Sequence, residues 1–476
     1  MSEGAPIGDL PAPVPSGSVW ADLRDAIRGV HFDYTEGRIG RAILLLSVPM
    51  MLEMSMESVF AVVDVFFVLR LGPAAAATVG LTEAVLTILY ALAIGLSMGT
   101  TAMVARRVGE KDLPAAAVAA VQAIALGIGL AAFVGVSGGL FAGDLLELMG
   151  ASPEMIAEGT TYTRVMFGTN VVIFLLFLIN AIFRGAGDAS MAMKSLWIAN
   201  LANIILDPCL IFGLGPFPEL GLTGAAVATS IGRGAGVVYQ LRGLLGRGSR
   251  LRISPDRIRL VPAVVWRLFR VSAFGIFQFL ISTASWVGLV RIISSFGEAA
   301  VAGYTLAIRI LIFFFLPAWG MSNAAATLVG QNLGASNPSR AEKAVWMTAR
   351  YNMAFLGSVG LVFIFFAESV IGLFTNDPVV AAYGVDCLRI VSCGYLIYAL
   401  GMVMVQAFNG AGDTVTPTYI NLVCFWVLQI PLAYVLAISL NLGPNGVYVA
   451  ILMAESLMAV VASLLFRRGT WKTKTI

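Results

Sequence analysis

Histidine occurs once in these 476 residues, at His31, and cysteine only at Cys209, Cys387, Cys393 and Cys424. None sits at metal-ligand spacing, so zinc, haem and iron–sulfur chemistry are excluded, and the thiols read as small buried hydrophobes. Charge is scarce as well. Lys, Arg, Asp and Glu make up 12% of the chain, against about 25% in water-soluble domains. That excludes a globular enzyme with an apolar core. The net charge of +3 carries no nucleic-acid signal, and no nucleic-acid partner is expected. Nucleophile constellations, His pairs and Asp-rich metal motifs are missing, so no enzyme is expected. Residues 1–18 lack the apolar run of a signal peptide and read as a polar tail.

What fills the chain instead is apolar: 59% of residues are hydrophobic. A hydrocarbon core needs about 20 apolar residues per helix. Twelve segments meet that length, near 41–69, 76–105, 113–142, 160–183, 190–213 and 222–246, then 265–294, 300–329, 341–370, 381–408, 416–439 and 444–466. The expected fold is an all-α integral membrane protein. Residues 1–40 form a tail with an interfacial helix within 19–40. Residues 41–246 and 265–466 form two six-helix lobes, 247–264 a basic linker and 467–476 a second tail. Basic residues gather in alternate loops, at Arg24, Arg28, Arg38, Arg41, Arg106, Arg107, Lys111, Arg242, Arg250, Arg340 and Arg467. Arg184 and Lys194 flank the turn after the fourth segment and read as markers of the same side. The positive-inside rule places both tails in the cytoplasm, in a multi-pass protein of a prokaryotic inner membrane with membrane lipids around it.

The chain also repeats itself. Phe183-Arg184-Gly185-Ala186-Gly187-Asp188 recurs as Phe408-Asn409-Gly410-Ala411-Gly412-Asp413. The same offset links Gly72 to Gly297, Gly95-x-Ser97 to Gly320-x-Ser322, and Gly109 to Gly334. With six segments per half, both lobes insert the same way round and are related by a pseudo-twofold axis along the membrane normal. Many transporters are built from such repeats.

Ionisable groups at mid-bilayer cost roughly 2.5–3.5 kcal/mol each on insertion scales. The first segment carries Glu53, Glu57 and Asp64. At 100° per residue, Glu57 lies about 40° and Asp64 about 20° from Glu53, so all three share one stripe. The stripe is either a cation or proton site or an internal hydrogen bond that sets helix register. Pro49 precedes it by one turn, removes a backbone donor and permits a kink, static or moving. In the fifth segment Asn200, Asn203 and Asp207 share a face, and Pro208 loosens the helix beside them. Oxygens on such a face suit a small cation or a proton; interhelical amide bonding is the plainer alternative. The second half lacks these acids: under the repeat, Gln278 stands for Glu53 and Leu289 for Asp64. The ion chemistry is therefore assigned to the first lobe. A substrate cavity is expected to draw on Met54, Phe60, Gln278, Trp286 and Tyr398, since rings attract cations and Met adapts to varied shapes.

These residues resemble the multidrug and toxic compound extrusion (MATE) family. The matching marks are Pro49 with Asp64 ahead of Arg70-Leu71-Gly72, the Arg184-to-Asp188 turn, Asn203-x-x-x-Asp207-Pro208, Gly224-Ala225-Ala226-x-Ala228-Thr229, and Val329-Gly330-Gln331-Asn332-Leu333-Gly334-Ala335. The resemblance covers nearly the whole chain after residue 40. It implies a two-lobed, twelve-helix antiporter that exports amphipathic, often cationic drugs in exchange for H⁺ or Na⁺, without a cofactor, as a monomer. It also implies the DinF-like branch, with a cation-coupling set of Asp64, Asn180, Asn203, Asp207 and Thr229. Glu53 and Glu57 are additional acids beyond that pattern. The choice between H⁺ and Na⁺ stays open at this stage. A lipid-linked oligosaccharide flippase of the same superfamily is the alternative; it would call for a basic cavity.

Overall fold

The computed structural model describes residues 18–246, 250–254 and 257–476. The tail before residue 18 and part of the basic linker, including Arg247, lie outside the described residues. The order is α1 (Val19–Arg28), α2 (Ile39–Leu69), α3 (Pro73–Gly109), α4 (Leu113–Leu140), α5 (Ala142–Leu148), α6 (Pro153–Gly168), α7 (Asn170–Ala186), α8 (Ala189–Phe212) and α9 (Leu222–Leu245). The second half continues with α10 (Pro262–Ser294), α11 (Glu298–Gly334), α12 (Pro338–Gly372), α13 (Pro378–Ser392), α14 (Tyr395–Gly410), α15 (Val415–Ser439) and α16 (Pro444–Arg468). Each of the twelve expected segments is helical. Among the described residues, nine helices are long and apolar enough to span a membrane, and the pair α13 and α14, bent by 58°, makes a tenth. The two remaining segments are α2 and α9, which carry Glu53, Glu57, Asp64 and Arg233.

Local chemistry sets the ends of these helices, and it repeats. Asp112 caps α4 by accepting from the Ala115 N–H at 2.9 Å. Asn337, its counterpart under the repeat, caps α12 by accepting from the Arg340 N–H at 3.1 Å. Gly187 ends α7 at φ +84°, and its counterpart Gly412 ends the turn after α14 at φ +83°, a region that favours glycine. The α2 helix continues through Pro49 without a break, whereas α15 passes through two stretches of π-helix around Pro431.

Each half has its own core. Leu176, Ile179 and Phe183 centre one first-half cluster, and Tyr304, Leu388 and Tyr448 centre one in the second half. The halves meet through glycines used reciprocally. A Cβ on Gly95 of α3 would strike the backbone of Ile276 in α10, and one on Gly320 of α11 would strike Met50 in α2. Further along, Gly109 lies against the Gln331 carbonyl, and Gly334 against the Arg106 carbonyl. These ends of α3 and α11 are sealed. Gln331 Nε2 donates to the Gly185 carbonyl at 2.9 Å, and Thr327 Oγ1 donates to the Arg184 carbonyl at 3.1 Å. Residues 470–476, read from sequence as a plain tail, instead pack onto the same face. Trp471 is fully buried on Phe466, and Arg106 and Arg107 of the other lobe donate to the carbonyls of Lys474 and Ile476.

Gly109→Val should separate the sealed ends, because no side chain accommodates a backbone carbonyl at that approach. Overpacking of this kind costs about 1–3 kcal/mol, seen as a lower melting midpoint in detergent. Gly80→Ala, which faces open space within α3, should leave the midpoint unchanged or raise it slightly.

Candidate functional site

The acids of α2 do not form one uncompensated stripe. Glu53 is 1% exposed, and its Oε1 accepts from Arg184 Nη1 at 2.8 Å and Asn180 Nδ2 at 3.0 Å. Asn180 Oδ1 in turn accepts from Ser195 Oγ at 2.8 Å and Gln240 Nε2 at 2.6 Å. One turn further, Glu57 accepts from Asn200 Nδ2 at 3.0 Å and Arg233 Nη2 at 3.3 Å. Arg233 also lies over the Phe60 ring, 5.4 Å from its centroid. For Glu53 and Glu57 the arrangement is the internal hydrogen bonding that the sequence offered as the alternative to an ion site. Arg184 reads from sequence as a topology marker, and Arg233 gives no signal there at all. Both turn inward, because a buried carboxylate left alone is far costlier than one paired with a guanidinium.

Asp64 and Asp207 are different. Asp207 is fully buried on α8 and shares Asn203 with Thr229: Asn203 Nδ2 donates to Asp207 Oδ1 at 3.3 Å and to Thr229 Oγ1 at 3.0 Å. Asp207 Oδ2 and Asn203 Oδ1 have no hydrogen-bond partner among the described residues. Asp64 is half-buried on α2. Thus Asn203, Asp207 and Thr229 come together, while Asn180 belongs to the Glu53 pair instead. Among the described residues no group of three His, Cys, Asp or Glu could hold a metal ion.

Between the halves lies an open cleft. Its walls are related by the repeat. Ile94 and Trp319, Met98 and Asn323, Thr101 and Ala326, and Arg184 and Asn409 all line it, and each pair shares the offset that links Gly95 to Gly320. The cleft therefore sits on the pseudo-twofold axis, and the identities across it differ. Gln406 Nε2 donates to Asn323 Oδ1 at 2.6 Å, and Asn409 Nδ2 donates to Gln406 Oε1 at 2.9 Å. Of the five cavity residues expected from sequence, Met54 lines this cleft. Phe60 is taken up by Arg233, and Gln278 is buried on α10 away from the lining. Trp286 and Tyr398 are corrected to core positions: Tyr398 is 2% exposed beside Tyr395, and Trp286 packs on the same cluster. Rings that read as lining from sequence alone also fill a lobe core, and only packing separates the two.

A family model described as MatE matches residues 49–209 and again 275–435, once in each half. The chain belongs to the MatE family. It is 26% identical to a FAD transporter of Shewanella oneidensis, over 90% of this chain and 95% of that protein. It is 27% identical to a probable multidrug resistance protein NorM of Thermotoga maritima, over 92% and 94%. A solved structure of a MOP superfamily transporter from Pyrococcus furiosus, reported for the reverse polarity of its binding pocket, superposes with a TM-score of 0.87 at 28% identity, covering 93% of this chain and 98% of that one. This MatE protein is a multi-pass membrane transporter with small-molecule substrates, and the expected all-α, two-lobed fold holds.

Arg233→Gln should leave Glu57 without its guanidinium. Removing one partner of a buried pair costs about 3–5 kcal/mol, and the 22% exposure of the Glu57 side chain should bring the loss below that range. Adding Glu57→Gln should recover part of the melting midpoint. Losses of the two single variants that simply add in the double variant would show that the pair is not coupled.

Proposed function

We propose that this MatE transporter is a secondary exporter of amphipathic small molecules, working by alternating access in exchange for H⁺ or Na⁺. The observation that carries the reading is the Asp207, Asn203 and Thr229 cluster, with unpartnered oxygens on Asp207 and Asn203. A buried carboxylate without a guanidinium partner needs a cation or a proton, and Asp64 is the second carboxylate that the resemblance assigns to this site. An ion bound there biases the lobe only by its different affinity for two shapes. This acid set in the first lobe supports the DinF-like branch, and bacterial relatives support an inner-membrane location. With the basic loops in the cytoplasm, the sealed ends of α3 and α11 face the cytoplasm. The lobes are read as residues 41–246 and 265–466, joined by the linker, in a monomer. A lipid-pyrophosphate flippase is the weaker reading, because among the described residues Arg184 is the single basic side chain lining the cleft.

Asp207→Asn should abolish coupled efflux of a fluorescent substrate from proteoliposomes under an imposed pH or Na⁺ gradient, while the protein still folds and inserts. Asp64→Asn should do nearly the same, and the double variant should be no worse than either single one. Wild-type rates in Asp207→Asn at matched insertion would sink the assignment. Running the assay at fixed pH with and without Na⁺ separates the two ions.

Pro49→Ala restores a backbone donor beside the acids of α2. If α2 changes shape with the ion, turnover should fall several-fold while substrate binding changes little. A spin-label distance between α2 and α7 that ignores both pH and Na⁺, in protein that still transports, would leave only a static ion site.

A further inference from the structure

Among the described residues, Arg184 is the single charged side chain that lines the inter-lobe cleft. Its carboxylate partner Glu53 stands behind it, 1% exposed, and does not line the cleft. A ligand in the cleft therefore meets a guanidinium first and the acid only through it. At the lining position related to Arg184 by the repeat stands the neutral Asn409. Two buried polar atoms of lining residues, Ser97 Oγ and Asn409 Oδ1, have no hydrogen-bond partner among the described residues. Apolar surface comes from Trp319, Phe177, Met54 and Met98.

Resting on the transport reading of the cleft, we infer that the cleft selects amphiphiles that carry a carboxylate, phosphate or sulfonate beside an aromatic ring. Arg184 binds the anionic group, and the ring lies among Trp319, Phe177 and the methionines. This reverses the charge preference expected from the resemblance alone. The physical reason is the fork of guanidinium donors, which matches planar oxyanions and repels ammonium groups. Glu53 acts as a positioning residue. It holds Arg184 at 2.8 Å through Nη1 and moderates its charge, while the Ser97 hydroxyl can donate a further hydrogen bond to the anionic group.

The test uses the full chain in lipid nanodiscs and three probes sharing one naphthalene ring, with a butanoate, butanol or butylammonium chain. Equilibrium dialysis against empty nanodiscs reads binding. The anionic probe should bind roughly tenfold tighter than the neutral one, as charge-assisted hydrogen bonds do, and the cationic probe weakest. Arg184→Lys should keep that order, and Arg184→Gln should bring the anionic probe down to the neutral level. Glu53→Gln should strengthen anionic binding several-fold, a gain that a purely structural pair would not produce. If Arg184→Gln fails to fold, the double variant Glu53→Gln with Arg184→Gln replaces both charges by amides and should lose the anionic preference in the same way. A cationic probe that binds wild type as tightly as the anionic one, or an anionic preference that survives the double variant, overturns the inference and leaves cleft transport standing. If Trp319→Ala and Asn409→Leu weaken the binding of none of the three probes, the cleft is not the substrate site, and the transport reading fails with the inference.

Discussion

A charge buried in a membrane protein must find a partner within its own fold. The architecture of the first lobe follows that demand. Glu53 finds Arg184, and Glu57 finds Arg233, each across a helix boundary. These pairs tie α2 to α7 and α9, with Asn180 and Asn200 donating to the same carboxylates and Gln240 donating to Asn180. Asp207 has no such guanidinium among the described residues, and its Oδ2 stays without a hydrogen-bond partner. That contrast separates acids paired with an arginine from one that is not.

Internal duplication supplies the second constraint. Glycines at equivalent positions bring α3 against α10 and α11 against α2, because only a missing side chain lets the backbones approach so closely. The resulting cleft lies on the symmetry axis, and its walls began as copies. Function then rests on where the copies differ. Arg184 is matched by Asn409, Ile94 by Trp319, and Met98 by Asn323. One lobe contributes charge, and the other contributes amides and a ring.

Much of the fold was legible in the residues. The internal repeat and the apolar segment lengths act locally or by simple register, so reading along the chain finds them. The shared face of Asn203 and Asp207 was also legible from their spacing, whereas Thr229 entered only through the family resemblance. Arg184 and Arg233 were not. An arginine near the end of a segment has the same sequence signature whether it snorkels to a headgroup or turns inward to an acid. Trp286 and Tyr398 escaped for a related reason: an aromatic ring suits a cavity wall and a lobe core equally.

A membrane-embedded, duplicated, all-helical transporter follows from the residue order alone, because hydropathy and repeat register are sums over many residues and tolerate local ambiguity. Which acids are neutralised, which rings meet the cleft, and the docking of residues 470–476 across both lobes follow only once the chain is folded. Those outcomes depend on side chains far apart in the chain meeting in a low-dielectric interior. There a few ångströms separate a paired charge from an open one.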